Sequence, residues 1–105
     1  LTVQPAQPYI WVMPKTGAAG SVVNLYGYFR RLPDMVKQEG KTLSVKVDGT
    51  WVADVVTGSG LQAGVARYLY NTTGLAVGAH TQTFEWAGDL FVDAGSGSAS
   101  LTITP

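Results

Sequence analysis

Gly64-Val-Ala-Arg-Tyr-Leu-Tyr-Asn71 and Ala79-His-Thr-Gln-Thr-Phe-Glu-Trp86 decide the fold of this chain. Each segment alternates between two sets of side chains, and this period of two predicts a β-strand with two distinct faces. Gly74 and Gly78 lie in the short turn between them, and Ala87-Gly-Asp89 closes the second segment. Two strands joined by a turn that contains glycine residues therefore predict a domain that is built from β-structure.

The rest of the chain continues the same pattern. Asp48-Gly49 predicts a tight hairpin, because glycine adopts positive φ at little cost. Arg31–Lys41 is the least regular segment, and a single helical turn is compatible with it. With the two segments above, the alternating stretches make seven short strands separated by turns, which favours a sandwich over a barrel. The remaining five stretches are Tyr9–Met13, Ser21–Phe29, Leu43–Val47, Trp51–Val56 and Ser98–Thr104.

Composition excludes several classes of function. The 105 residues correspond to one domain, and seven basic residues balance seven acidic ones. This balance argues against nucleic acid as a partner, since nucleic-acid binding requires a basic footprint. The chain has no cysteine, which excludes a disulfide framework and a thiolate metal site. No apolar run approaches 18 residues, so no membrane insertion is predicted.

The two ends of the sequence resemble each other. Leu1-Thr-Val-Gln-Pro5 echoes Leu101-Thr-Ile-Thr-Pro105, and two interpretations remain open. In the first, residues 1–7 are a linker or the tail of a preceding repeat and residues 8–105 form the sandwich domain. In the second, the first strand is split by Pro5 and Pro8 on a sheet edge, where proline is tolerated. We expect the chain to be a piece of a longer protein.

Four segments, in their order and spacing, resemble the bacterial immunoglobulin-like (Big-type) repeat domain. Ile10-Trp-Val-Met-Pro14 and Gly20-Ser-Val-Val-Asn-Leu25 are similar to its first two strands. Lys41-Thr-Leu-Ser-Val-Lys-Val-Asp-Gly-Thr50 is similar to its central hairpin, and Ser98-Ala-Ser-Leu-Thr-Ile103 to its closing strand. The resemblance implies an all-β, immunoglobulin-like Greek-key β-sandwich of about seven strands.

The same resemblance implies a function without catalysis. Modules of this kind occur in extracellular or cell-surface proteins, often as tandem repeats, and similar modules decorate phage tails and capsids. The family has no shared catalytic residues, so we expect a structural or adhesive module, not an enzyme, and no cofactor. The expected location is extracellular, on a cell surface or on a virion.

Two polar residues depart from the family pattern. His80 and Gln82 occupy inward-facing positions of their strand, where apolar residues are expected. We interpret them as a structural polar part of the core, with His80 near the start of the strand bonded to nearby backbone. Gly27 lies in the middle of a strand, and we expect it to make room for a large neighbour such as Trp86.

Neither a catalytic site nor a metal site is predicted. His80 is the single histidine, and no nucleophile-elbow motif accompanies it. Asp89 and Asp93 offer oxygens that calcium could use, but the alternating acids of a calcium loop are missing. We favour turn residues for both aspartates and leave calcium binding open.

The strongest indication of a function in the sequence is a predicted apolar surface on one sheet. Alternation places the odd positions of Val23–Phe29 inward, together with Ile10, Val12 and Ala66. In an immunoglobulin-like arrangement the first, second and fifth strands share a sheet. The side chains on the outer face of that sheet are then largely apolar and aromatic, which marks a partner-binding surface. They are Trp11, Met13, Val22, Tyr26, Tyr28, Arg67 and Leu69.

Three interpretations of this surface remain open. It binds a protein partner, which is a neighbouring domain or a second copy of the chain. Alternatively, the domain is a carbohydrate-binding accessory module in which Trp11, Tyr26, Tyr28 and Trp51 stack against a cell-surface glycan. In the third interpretation the register is shifted by one residue, which exchanges every inward and outward position.

Overall fold

The computed structural model describes residues 6–32 and 34–105, which fold into two packed β-sheets. Nine strands are described, and the long ones coincide with the alternating segments of the sequence. The segment Leu1–Pro5 lies outside the described residues. The strands are β1 (Gln7–Val12), β2 (Lys15–Ala18), β3 (Val22–Leu32), β4 (Val36–Lys37), β5 (Thr42–Val47), β6 (Thr50–Val56), β7 (Val65–Asn71), β8 (Gly78–Trp86) and β9 (Gly95–Thr104).

The first sheet is organised around β3. β1 runs antiparallel along one side of β3, while β7 and β4 pair with successive parts of its other side. The second sheet has the strand order β2-β9-β8-β5-β6, in which β2 and β9 are parallel. Because β7 and β8 belong to different sheets, the connection at Gly74 crosses from one sheet to the other.

The core lies between the sheets and is formed by alternate residues of each. Val23, Leu25 and Phe29 of β3 are buried, as their period of two predicts. The second sheet contributes its own inward rows, which meet those of the first. They are Leu43, Val45 and Val47 on β5, Phe84 on β8, and Leu101 and Ile103 on β9.

The all-β sandwich expected from the sequence is confirmed, with two short strands added. After Pro14 the chain continues as β2, which pairs with β9 of the second sheet. The N-terminal part of the described chain therefore forms an edge strand in each of the two sheets. The helical turn that the sequence of Arg31–Lys41 allowed does not occur among the described residues of that segment. Among its described residues Met35 has a φ of 59° and β4 follows, pairing with β3. A 3-10 turn instead spans Gly60–Gln62, which the sequence pattern did not indicate. No described helix is long and apolar enough to span a membrane.

The hairpin at Asp48-Gly49 is confirmed. Both residues have positive φ, 53° and 80°, which is the requirement of a two-residue type I′ turn between β5 and β6. Asp48 is one of the residues that tolerate the left-handed conformation, and its carboxylate is held there by His80 and by the Thr81 N–H. This turn brings the Asp48 carboxylate to the start of β8.

Gly27 makes room for a large neighbour, as expected, but the neighbour is not Trp86. A Cβ atom built on Gly27 would lie 2.5 Å from Cδ2 of Phe84, so the glycine makes room for Phe84 instead of Trp86. Phe84 is the inward residue of β8 at this level and is fully buried. Trp86 lies further along β8, where its ring packs against Phe29 at a centroid distance of 5.1 Å.

Candidate functional site

His80 forms a polar corner at the end of the sandwich where β8 begins. Its Nδ1 lies 2.5 Å from Oδ2 of Asp48, and its Nε2 lies 2.6 Å from the carbonyl oxygen of Ala76. The other oxygen of Asp48 accepts a hydrogen bond from the backbone N–H of Thr81. The His80 side chain is 12% exposed, so it closes the end of the core. Both ring nitrogens face acceptors, and the imidazolium, which donates from both, fits them.

The electrostatics of this corner follow from those contacts. The hydrogen bond from His80 to Asp48, followed by that to the Ala76 carbonyl, raises the pKa of His80 above its ordinary 6.5. The same hydrogen bond, with that from the Thr81 N–H, lowers the pKa of Asp48 below its ordinary 3.8. The pair therefore favours the charged form of both groups.

We predict a stability maximum between about pH 4 and pH 6.5 that depends on this pair. The contribution of His80 is fully present below its unfolded pKa and is lost as pH rises through the raised folded pKa. The contribution of Asp48 is present above its unfolded pKa and is lost as pH falls through the lowered folded pKa. Denaturant unfolding from pH 3 to pH 9 measures the profile. His80→Asn and Asp48→Asn should each flatten it, and an unchanged profile in both variants would contradict the assignment.

Gln82 lies two residues further along β8 and is fully buried. Its Nε2 donates to the carbonyl oxygens of Met13, at 2.8 Å, and Ser100, at 3.0 Å. The side chain thus joins the first strand, at the point where that strand changes sheets, to β9. Its Oε1 is buried and has no hydrogen-bond partner among the described residues. The interaction is structural, because the side chain faces the core and not a surface.

Asp89 and Asp93 act as loop residues. Oδ1 of Asp89 accepts hydrogen bonds from the backbone N–H groups of Phe91 and Val92, both at 2.8 Å, and its Oδ2 lies 3.3 Å from Nζ of Lys41. These bonds lower the pKa of Asp89, chiefly through the Val92 and Phe91 N–H groups. Asp93 accepts a hydrogen bond from Gln7. No cluster of three metal-ligating side chains occurs among the described residues.

The outer surface of the first sheet carries the predicted aromatic residues in register. Trp11 lies directly opposite Tyr28 across β1 and β3, and Arg67 lies opposite Tyr26 across β7 and β3. The Met13 N–H bonds to the Tyr26 carbonyl, so it continues the row. We call this surface the aromatic face and define it by Tyr9, Trp11, Met13, Tyr26, Tyr28, Arg30 and Arg67.

A shallow depression of about 280 Å³ opens on the aromatic face. Trp11 is 44% exposed, and its ring contacts that of Tyr28 at a centroid distance of 5.4 Å with the planes tilted by 43°. Tyr9, Arg30 and Met35 complete the lining. Three aromatic rings, a thioether and a guanidinium therefore surround one solvent-facing concavity, a composition that is typical of protein recognition sites.

The other predicted surface residues lie apart from this depression. Val22 and Leu69 are exposed at the opposite end of β3 and β7, where Leu69 lies directly opposite Asn24 and Val22 lies two residues before Asn24 on β3. Trp51 lies on the second sheet, 57% exposed, and its Nε1 donates to Oδ1 of Asp54 at 2.9 Å. Trp51 therefore does not share a surface with the other aromatic residues.

Three residues of the depression were missed in the sequence. Because Ile10 points inward, the strand alternation that predicts an outward Trp11 also predicts an outward Tyr9. Arg30 lies one residue beyond the predicted end of its strand, and the strand extends to Leu32. No sequence pattern predicted that Met35 would line the depression, because its position depends on the turn that leads into β4.

Comparison with known proteins bears on the fold. No family model and no curated protein matches the chain. Among solved structures, the fibronectin(III)-like modules of Clostridium thermocellum CbhA are similar, with a TM-score of 0.59 and 10% identity over 91% of this chain and 96% of that one. The chain has an immunoglobulin-like sandwich fold.

Two further structures support the same assignment of fold. Titin domain M7 is similar with a TM-score of 0.55 and 15% identity, over 99% of this chain and 100% of that domain. The endo-beta-1,4-mannanase from Thermotoga petrophila is similar with a TM-score of 0.59 and 14% identity over 92% of this chain. This chain covers only 20% of the mannanase chain. At these identities the likeness concerns the fold alone.

Proposed function

We propose that this domain is a non-catalytic, Big-type immunoglobulin-like module of an extracellular bacterial or phage protein, and that its aromatic face binds a protein partner. The observation that carries the proposal is the depression on the aromatic face. Water-facing sheet surfaces are ordinarily polar, and burial of exposed tryptophan, tyrosine and arginine supplies most of the energy at protein interfaces.

The geometry of the rings favours a protein over a flat sugar chain. Trp11 and Tyr28 are tilted by 43° relative to each other, so together they form the wall of a concavity instead of one planar platform. Met35, which lines the depression, adapts its shape to a partner because its side chain is unbranched and flexible. Concave apolar sites that include an arginine accept protruding side chains of a partner.

The second candidate function is carbohydrate binding, and Trp51 is the observation that favours it. Its indole is held by the hydrogen bond to Asp54, and Asp54 also accepts a hydrogen bond from the hydroxyl of Ser44. A ring that is fixed and 57% exposed loses little conformational entropy when a sugar stacks on it. A single ring, however, provides less contact than the depression on the other sheet.

We predict that replacing Trp11 and Tyr28 together by alanine abolishes partner binding and leaves the fold in place. Each residue is at the surface, and the loss of two aromatic anchors weakens an interface about a hundredfold or more. The measurement is selection of a displayed random-peptide library on the domain, followed by titration of the selected peptides. Trp51→Ala is the matched control, because it removes an exposed aromatic ring from the other sheet.

Two results would contradict the proposal. Peptides that bind the double variant as tightly as the unaltered domain would show that the aromatic face is not the site. Binding to a polysaccharide panel that is lost in Trp51→Ala but retained in the double variant would instead support the carbohydrate function. Thermal unfolding of all three proteins checks that each is folded.

A further inference from the structure

The unpaired cations of the chain share one surface. Three of the seven basic side chains form ion pairs: Arg31 with Asp34, Lys41 with Asp89, and Lys46 with Glu85. The other four have no carboxylate within 4.0 Å among the described residues, and they are Lys15, Arg30, Lys37 and Arg67.

All four unpaired cations lie on or beside the aromatic face. Nζ of Lys15 lies 4.6 Å from the ring centroid of Tyr26. Arg30 lines the depression, and Lys37 is its direct partner across β3 and β4, so the two side chains share a face. Arg67 is opposite Tyr26. The aromatic face is therefore positively charged although the chain as a whole is neutral.

Most carboxylates lie elsewhere and are engaged. Asp54 and Glu85 both pair in register with Ser44, on the outer side of the second sheet. Asp48 is held at the β5–β6 turn by His80, and Asp89 by the loop that follows β8. Of the other three, Asp34 is paired with Arg31, Asp93 accepts a hydrogen bond from Gln7, and Glu39 is exposed two residues after Lys37. The four cations therefore outnumber the unengaged carboxylates near them, and a negatively charged partner complements the aromatic face.

The cations flank the rings at a defined spacing. Arg30 and Tyr26 are four residues apart on β3, and Arg67 lies beside Tyr26, so the two guanidinium groups originate about 13 Å apart along the strand direction. The contact between Trp11 and Tyr28 lies midway between them. The order along the surface is therefore cation, aromatic pair, cation.

We propose that the aromatic face binds an extended acidic peptide with two carboxylates four residues apart and an apolar residue midway between them. In an extended peptide, residues i, i+2 and i+4 point the same way and span about 13 Å. The apolar side chain enters the depression, while one carboxylate reaches Arg30 and the other reaches Arg67, each through charge-assisted hydrogen bonds. This inference rests on the proposed function, because it specifies the partner of that same surface.

The test is fluorescence anisotropy of labelled peptides with the intact domain. One peptide contains Glu-Ser-Leu-Ser-Glu, a second replaces both glutamates by glutamine, and a third places the two glutamates side by side. The first should bind more tightly than the others, and binding should weaken as salt is raised. Arg30→Gln and Arg67→Gln should each weaken it about tenfold, as expected for one charge-assisted hydrogen bond. Lys46→Gln, which removes the same charge from the other sheet, should change it less than about twofold.

Three outcomes would overturn the inference. If the library-selected peptides depend on Trp11 and Tyr28 but are indifferent to Arg30→Gln and Arg67→Gln, the proposed function stands and the acidic partner does not. If polygalacturonate binds more tightly than any peptide and is lost in both arginine variants, the partner is an acidic polysaccharide. If sedimentation shows that the domain self-associates through this face and excludes the peptide, the partner is a second copy.

Discussion

Replacing Phe84 by alanine should lower the free energy of unfolding by about 3–5 kcal/mol, the usual cost of deleting a buried phenylalanine ring. Phe84 is fully buried between the sheets, and its ring lies directly over Gly27 of β3. The deletion removes apolar area from the core and leaves a cavity, because Gly27 has no side chain with which to fill it. Denaturant unfolding monitored by tryptophan fluorescence measures the effect.

A double-mutant cycle isolates the contact between Phe84 and Gly27. Gly27→Ala should by itself cost about 1–3 kcal/mol, since the new methyl group would lie within 2.5 Å of the ring. In a Phe84→Leu background the same change should cost less, with a coupling of at least about 0.5 kcal/mol. Asn24→Ala, an exposed change on the same strand, should remain within about 0.5 kcal/mol of zero. Additive costs for the two core changes would show that they do not meet.

Replacing Gln82 by glutamate should cost about 3 kcal/mol or more at pH 7, although the two side chains have the same shape. Gln82 is fully buried, and its amide nitrogen donates to two backbone carbonyls. A carboxylate in its place would face those carbonyls with no donor to offer and no cation to pair with, and an uncompensated buried charge is strongly destabilising. Denaturant unfolding against the unaltered protein measures the cost.

The cost of Gln82→Glu should diminish on acidification. Burial raises the pKa of a carboxyl group, so the folded variant takes up a proton at a pH where the unfolded chain does not. The difference from the unaltered protein should therefore shrink as pH falls toward the unfolded value of about 4.3. Gln62→Glu makes the same chemical change at an exposed site and should have little effect at any pH. A pH-independent cost at Gln82 would indicate a packing defect instead of a charge.

Local alternation could be read from the sequence, but contacts between sheets could not. The period of two on β3 placed Leu25 and Phe29 in the core, since that pattern is a property of neighbouring residues. The partner of Gly27 depends on how far one sheet is shifted over the other, and Phe84 is there instead of Trp86. β2 and β4 escaped prediction because Lys15–Ala18 contains few strand-favouring residues and Val36–Lys37 contains only two residues.

In the polar corner and in the depression, too, the direction of each side chain could be predicted from the sequence, but its contacts could not. The inward direction of His80 followed from the strand pattern, but its partner Asp48 is 32 residues away, and only the pairing of β5 with β8 brings them together. The outward direction of Trp11 and Tyr28 likewise followed from the alternation within each strand. That they meet each other, and that Arg30 and Met35 close the depression around them, depends on the register of β1, β3 and β4.

The placement of the four cations without ion pairs on one side gives this neutral chain an electric dipole. Its positive end is the guanidinium-bearing surface around Arg30 and Arg67, and the opposite side carries Asp54 and the ion pair of Glu85 with Lys46. At low ionic strength a dipole of this kind turns in the field of a charged surface before contact, so the molecule approaches polyanions with the same side foremost. A net charge of zero therefore does not make its encounters random in orientation.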